Sequence, residues 1–145
     1  MTRTFILSAL LATSAASLAA QASNRVPVIP PGQSASATLT PGIRVGDIVY
    51  ASGQLGTSRE NPNATIQEQT TRALENTAKV FEAAGTSMAN AIKCTVFLTE
   101  VADFGGMNQA YRAFFPDSPP ARSTVVVKAL VVPNATVEIE CLAVI

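Results

Sequence analysis

The chain has 145 residues, which is enough for one ordinary domain and too few for two. Its ten basic and ten acidic side chains balance, which argues against nucleic-acid binding, because such a surface needs clustered Lys and Arg. It contains no histidine, so the commonest metal ligand and the commonest general base at neutral pH are both missing. Any acid–base chemistry must therefore use carboxylates, hydroxyls, thiols or water.

Residues 1–22 have the pattern of a secretory signal peptide. Arg3 precedes an apolar run that begins at Phe5, and small residues follow with an A-x-A cleavage site at positions 20–22. A second cleavage site is available at positions 17–19. A short membrane anchor is the alternative, but serines and threonines interrupt an apolar stretch already short of the roughly 20 residues of a membrane span. We expect cleavage, a periplasmic or secreted location, and no membrane association afterwards.

The folded domain is expected to run from residue 38 to residue 145, after an arm at residues 23–37. The arm is rich in Pro, Ser and Gly, which predicts an extended segment with one edge strand at 26–29. Just inside the domain, Gly46-Asp47 lies between β-branched stretches and is typical of a two-residue hairpin turn.

The clearest helix is predicted from Thr65 to Ala84, where apolar residues recur at the spacing of one helix face. Thr65 and Glu68 form a capping-box pattern at its start, and Gly85 supplies a left-handed residue just after its end.

A strand and a second helix follow. The sequence AIKCTVFLT, residues 91–99, alternates as a strand does, and Asp103 is expected to cap the next helix. Pro116 prevents that helix from continuing beyond Phe115. The apolar stripe predicted for this helix consists of Phe104, Met107, Tyr111 and Phe114.

Two further strands, residues 122–130 and 136–145, are predicted to be joined by a turn at Pro133-Asn134. The last strand alternates, so that one face carries Val137, Ile139, Cys141 and Ala143 and the other carries Glu138, Glu140, Leu142 and Val144. A face that mixes glutamates with apolar residues suits an oligomer interface with polar pockets.

The order of these elements predicts an α+β fold in which two helices cover one face of a mixed sheet. Two helices cannot cover both faces, so the second face must be solvated or buried against another copy of the chain. Phe97, Leu142 and Val144 on that face favour burial.

Cys94 and Cys141 each lie in an apolar, strand-like run. Export would place them in an oxidising compartment, where a disulfide can form. Because bridging needs the two Cα atoms within about 7 Å, which the sequence does not supply, two buried free thiols are expected and a disulfide is the alternative.

Arg122 stands at the start of a strand, in the stretch PPARSTVVV. Burying an unpaired charge costs several kcal/mol, on the order of the stability of a whole small domain. Arg122 is therefore expected either at an exposed strand end or in a site that binds an anion.

The chain resembles the RidA (YjgF) family over about residues 43–145, in the strings GDIVYASGQLG, TTRALENTAKVFEAAG, KCTVFLTEVADFGGMNQAYRAFFP, PPARSTVVV and VEIECLAV. The resemblance implies a chorismate-mutase-like α+β fold with a mostly antiparallel sheet, a homotrimer whose sheets form a central barrel, and a ligand site in each cleft between subunits. It also implies hydrolysis of reactive 2-imino and 2-enamino acids to 2-oxo acids and ammonia, with no cofactor and no metal.

The family's site residues map onto single positions of this sequence. Arg122 matches the substrate-binding arginine, so the resemblance makes a substrate carboxylate its anion, held by two parallel hydrogen bonds that a lysine could not reproduce. Glu138 matches the carboxylate near the attacking water, and Thr124 stands where some members have a cysteine beside that water. The other matches around the cleft are Ser52, Gly53, Asn108 and Tyr111.

Leu39 departs from the family pattern. Active members commonly carry a tyrosine there, in a G-x-Y-S-Q-A pattern, and this chain has ATLTPGI instead. Since the phenol that could hydrogen-bond the substrate is missing, a second function stays open, a non-catalytic trimer that binds small carboxylates or a partner protein. A ribonuclease role, reported for some relatives, is disfavoured by the balanced charge and the absence of histidine.

Overall fold

The computed structural model describes residues 24–145, and the predicted signal peptide lies outside them. The described residues form seven strands and two α-helices. The strands are β1 (Arg25–Val28), β2 (Gly42–Val45), β3 (Ile48–Ala51), β4 (Gln54–Leu55), β5 (Ala91–Leu98), β6 (Ala121–Val126) and β7 (Val137–Val144), and the helices are α1 (Ile66–Ala83) and α2 (Phe104–Arg112).

The strands form one sheet in the order β1-β2-β3-β7-β5-β6, and the short β4 also pairs with β7. Every pairing is antiparallel except that between β5 and β6. Helix α1 packs against β3, β4, β7 and α2. The predicted fold class, an α+β fold with a mixed, mostly antiparallel sheet and two helices, is confirmed.

The first three strands follow the turn and strand patterns predicted from the sequence. Gly46 has φ 58° and closes the predicted hairpin, in which Val45 pairs with Ile48. The edge strand expected at 26–29 lies one residue earlier and pairs with β2, so the arm is attached to the sheet.

Helix α1 has both predicted end signals. Glu68 Oε2 accepts a hydrogen bond from the backbone N–H of Thr65 at 2.7 Å, and the Thr65 side chain accepts one from the Glu68 N–H at 3.3 Å. After the last turn, Gly85 has φ 86°, and the next N–H bonds back to the carbonyl of Phe81 at 2.9 Å. The reciprocal cap and the left-handed residue satisfy backbone groups that a helix end would otherwise leave unpaired.

The start of α2 differs from its prediction. Asp103 precedes the helix, but its backbone is already helical (φ −76°, ψ −10°) in a short 3₁₀ turn, and its side chain makes no capping hydrogen bond. Phe104 lies on the predicted apolar stripe, yet it is 45% exposed, whereas Met107 and Tyr111 on the same stripe are buried in the core. The helix ends at Arg112, and Phe115 is buried in the turn that follows.

The two faces of the sheet are covered differently. The face toward the helices, here called the closed face, includes Cys94, Val96, Leu98, Val137, Ile139, Cys141 and Ala143, all fully buried. The opposite face, here called the open face, includes Thr95, Phe97, Glu138, Glu140, Leu142 and Val144, and each of these is at least partly exposed.

Cys94 and Cys141 form a disulfide across β5 and β7, which corrects the expectation of two free thiols. They are direct partners in the register of two adjacent antiparallel strands, with both side chains on the closed face and Cα atoms 4.1 Å apart. That separation is well below the distance of about 7 Å beyond which two cysteines cannot be bridged. The bridge therefore joins two central strands of the sheet.

Candidate functional site

Arg122 lies on the edge strand β6, in register with Cys94, so its side chain points to the closed face. It is half-buried, and its guanidinium carbon is 4.7 Å from the ring centroid of Tyr111 and 5.9 Å from that of Phe104. Its one hydrogen bond to a described residue is from Nη1 to the Met107 sulfur, at 3.9 Å. A thioether is a weak acceptor, so most of the five N–H donors stay available to a ligand.

A groove of about 440 Å³ lies beside this guanidinium. It brings together three of the predicted site residues, Arg122 from β6 with Asn108 and Tyr111 from α2. Its remaining lining residues are Arg112, Phe115, Pro119 and Pro120. The groove therefore joins a cation, an amide and a phenol to an apolar wall, which is a suitable composition for a small organic anion.

Two hydroxyl groups near Arg122 are buried without a hydrogen-bond partner among the described residues, those of Tyr111 and Thr124. Burial raises the pKa of Tyr111 to about 12, and the nearby charge of Arg122 acts in the opposite direction. The phenol therefore stays protonated at neutral pH. Thr124 follows Arg122 by two residues on β6, so both side chains lie on the same face of that strand.

The other predicted residues form a second cluster, consisting of Ser52, Gly53 and Glu138. A Cβ atom at Gly53 would overlap the Glu138 carboxylate, so only glycine leaves that carboxylate its present place. The Ser52 hydroxyl donates to the carbonyl of Thr40 at 2.6 Å, which ties this cluster to the loop before β2. Glu138 is half-buried on the open face and pairs with Phe97 of β5.

Leu39 precedes Thr40 in that loop and is 53% exposed. Its backbone N–H donates to Ser36 Oγ at 3.0 Å, which closes a local turn. Leu39, where the resemblance leads us to expect a tyrosine, therefore lies on the side of the Ser52 cluster, with its side chain largely exposed.

A single protomer does not bring the two clusters together. Cys94 and Cys141 are partners on the closed face, and Arg122 stands beside Cys94 on the same face. Glu138, by contrast, lies on the open face of β7, and β5 separates that strand from β6. The sheet therefore stands between Arg122 and Glu138.

The sequence interpretation missed Arg112 as a groove residue. It lies four residues after Asn108, the spacing at which two helical side chains share one side, so the helix pattern contained the signal. Within residues 24–145 no cluster of three or more His, Cys, Asp or Glu could hold a metal ion. None of the helices described there is long and apolar enough to span a bilayer.

Known proteins resemble this chain over most of its length. The family profile described as Endoribonuclease L-PSP matches residues 32–145. Reactive Intermediate Deaminase A of Arabidopsis thaliana is 35% identical over 134 residues, which cover 88% of this chain and 71% of that protein. The 2-iminobutanoate/2-iminopropanoate deaminase of Dermatophagoides farinae is 40% identical over 106 residues, covering 71% of this chain and 82% of that protein.

Solved structures give the same assignment. The crystal structure of the YjgF gene product from E. coli superposes with a TM-score of 0.73 at 30% identity and covers 82% of this chain and 98% of that one. The profile, the relatives and the fold agree, and the chain belongs to the RidA/YjgF/L-PSP family.

Proposed function

We propose that this protein hydrolyses 2-imino acids, and their enamine tautomers, to 2-oxo acids and ammonia. The observation that carries the proposal is Arg122, a half-buried guanidinium fixed against two aromatic rings at a groove, with donors left for a carboxylate. Two charge-assisted hydrogen bonds to a carboxylate contribute about 1.5–3 kcal/mol each. The names of the Arabidopsis and Dermatophagoides proteins, both deaminases, support the same chemistry.

The reaction needs positioning more than activation. Arg122 holds the 2-carboxylate, and water adds to C2 of the C=N bond while Glu138 takes a proton from that water. Glu138 passes this proton to the imine nitrogen, which gives an amino alcohol. The C–N bond of the amino alcohol then breaks as the C=O bond forms, and the hydroxyl proton moves to the nitrogen, which leaves as ammonia. One imine and one water thus give one 2-oxo acid and one ammonia, with no change in oxidation state and no cofactor.

The proposed site lies between two copies of the chain. Because the sheet separates Arg122 from Glu138 within one protomer, one small ligand contacts both only if a neighbour supplies the second cluster. The open face, where Leu142 and Val144 lie on the same side of β7 as Glu138, is the surface that a neighbour would cover. A closed homotrimer gives three equivalent sites of this kind.

Mixing two inactive variants tests the shared site. Arg122→Ala and Glu138→Gln each lose activity alone, but unfolding and refolding them together at equal amounts restores about a quarter of the sites, because every mixed trimer contains one intact pair. The assay uses an amino-acid oxidase to generate 2-imino acids and follows their decay with and without the protein. A mixture as inactive as its components would reject the shared site, and an inactive parent would reject the proposed reaction.

The second candidate function, carboxylate binding without turnover, is favoured by Leu39, which is exposed beside the Ser52 cluster where the phenol is missing. Leu39→Tyr discriminates between the two candidates. If the missing phenol limits turnover, the variant hydrolyses 2-iminobutanoate faster than the parent, with an unchanged mass in sedimentation. If neither protein hydrolyses the imine but both bind 2-oxobutanoate, binding alone is the function.

We also propose that the chain is exported and acts in an oxidising compartment. Two observations support this location. Residues 1–22 have the pattern of a signal peptide. Cys94 and Cys141 form a disulfide, and such bonds persist outside the reducing cytosol. Mass spectrometry of the protein from its native host should find an N-terminus near Ala20 or Ser23. A chain that begins at Met1 in the cytosolic fraction would contradict the proposal.

A further inference from the structure

The groove beside Arg122 carries a second guanidinium. Arg112, at the end of α2, lines it together with Arg122, and none of the lining residues that residues 24–145 of one protomer contribute is an Asp or Glu. The whole chain is neutral, with ten basic and ten acidic side chains, so this pair is a local concentration of positive charge. A groove of this charge favours ligands with more negative charge than a single carboxylate supplies.

The two guanidinium groups differ in depth. Arg122 is half-buried and packed on the ring of Tyr111, whereas Arg112 is exposed. Asn108 and Arg112 lie one turn apart on the same side of α2, and both face the groove. A ligand held by its 2-carboxylate at Arg122 can therefore extend its side chain along α2 toward Arg112.

We propose that Arg112 determines substrate specificity, and that the groove prefers 2-imino acids whose side chain carries a second carboxylate, those formed from aspartate or glutamate. This inference rests on the proposed function, because it needs Arg122 to hold the 2-carboxylate. Arg112 is a binding residue and takes no part in the hydrolysis, in which the bonds made and broken are the same for every substrate. The alternative is that Arg112 is an ordinary exposed arginine with no effect on ligands.

The measured quantity is the selectivity ratio, kcat/KM for 2-iminosuccinate divided by kcat/KM for 2-iminobutanoate, with each imine generated by a matching amino-acid oxidase. Because Arg112 is exposed and partly screened by solvent, Arg112→Ala is expected to lower this ratio about 5–20-fold. Arg112→Glu lowers it further, since repulsion replaces attraction. Raising the salt from about 0.02 M to about 0.5 M lowers the ratio of the parent and leaves that of Arg112→Ala nearly constant.

Arg25→Ala is the matched control, because Arg25 is also an exposed arginine but lies on β1, at the opposite edge of the sheet from β6. It should keep the selectivity ratio of the parent. A ratio for Arg112→Ala within about twofold of the parent, or an equal fall in Arg25→Ala, overturns the inference.

Calorimetric titration gives a readout that does not depend on turnover. The parent should bind 2-oxoglutarate more tightly than 2-oxobutanoate, and Arg112→Ala should remove that difference. If both 2-oxo acids bind and require Arg122, but their affinity ratio is the same with and without Arg112, this inference fails and the proposed function stands. If the parent binds neither acid, the proposed function fails and this inference fails with it.

Discussion

The two faces of β7 differ in how deeply their side chains are buried, although residues of the two faces alternate along the same eight-residue strand. On the closed face Val137, Ile139, Cys141 and Ala143 are all fully buried, because α1 packs over them. On the open face Glu138, Glu140 and Leu142 are half-buried, and Val144 is 38% exposed. One protomer thus completes its core on one side of the sheet and leaves a mixed polar and apolar surface on the other.

This difference in burial assigns the two faces of β7 different roles, one in the stability of the fold and the other in the proposed function. On β7 the closed face is already covered by α1, and its residues there are apolar because burial of apolar surface stabilises the fold. The open face holds Glu138, a residue of the proposed reaction, among apolar neighbours that a second copy of the chain would cover. Changes at the closed-face residues of β7 should therefore affect unfolding, and changes at its open-face residues should affect assembly and turnover.

The largest effect is expected from a pair of apolar truncations on β7. Ile139→Ala should lower the free energy of unfolding by about 2–5 kcal/mol, because it leaves a cavity in the core. Leu142→Ala, on the open face, should instead raise the dissociation constant of the proposed trimer about tenfold or more. Denaturant titration and sedimentation equilibrium measure the two effects. If both variants lose the same stability and neither changes assembly, the two faces are equivalent and the comparison is wrong.

The disulfide on the closed face is expected to contribute to the free energy of unfolding. It links residues 47 apart in sequence, so replacing both Cys94 and Cys141 by Ala should lower the free energy of unfolding by about 2–4 kcal/mol. Both residues are fully buried, so a thiol reductant added well below the melting temperature should leave the bridge of the folded protein intact. Titration of free thiols in denaturant without reductant then shows whether the bridge is present, because a bridged protein has none to titrate. Two free thiols in the protein unfolded without reductant would contradict this description of the closed face.

The smallest effect concerns the start of α1, the helix that covers the closed face. Hydrogen bonds from the backbone and side chain of Thr65 lower the pKa of Glu68 below its ordinary value of 4.5. The folded pKa lies below the unfolded one, so the stability that ionised Glu68 contributes is present above pH 4.5 and is lost as the pH falls through the lowered value.

Glu68→Gln should therefore differ from the parent more in melting temperature at pH 6 than at pH 3. Glu75→Gln, an exposed position on the same helix, is the control and should show a smaller change between the two pH values. An equal pH dependence of the two variants would contradict the role of the cap.

Much of this fold was predictable because its signals are local. Gly46-Asp47 marks the hairpin, and Thr65, Glu68 and Gly85 mark the two ends of α1, each acting within a few residues of itself. The disulfide was not predictable, because Cys94 faces Cys141 only through the register of strands that are distant in sequence. Strand β6 was predicted to reach residue 130 and ends at Val126, since β-branched composition does not show where strand pairing stops.

The sequence names candidate site residues, and their roles stay a prediction, but it does not show how these residues are arranged in space. The resemblance picked out Arg122 and Glu138, but their placement on opposite faces follows from the register of β6 and β7 on β5. Arg112 was missed because the resemblance transfers single positions, whereas its place beside Asn108 comes from the helix that carries both.

The most direct test of the account is the binding of 2-oxobutanoate, a product of the proposed reaction, measured by calorimetric titration of the parent, Arg122→Ala and Arg122→Lys. Two charge-assisted hydrogen bonds predict that Arg122→Ala weakens binding at least about 100-fold and that Arg122→Lys recovers little, since a lysine cannot form both. Both variants should keep the mass and melting temperature of the parent within about 3 °C. Binding by Arg122→Ala as tight as that of the parent would contradict the claim that Arg122 holds the substrate carboxylate.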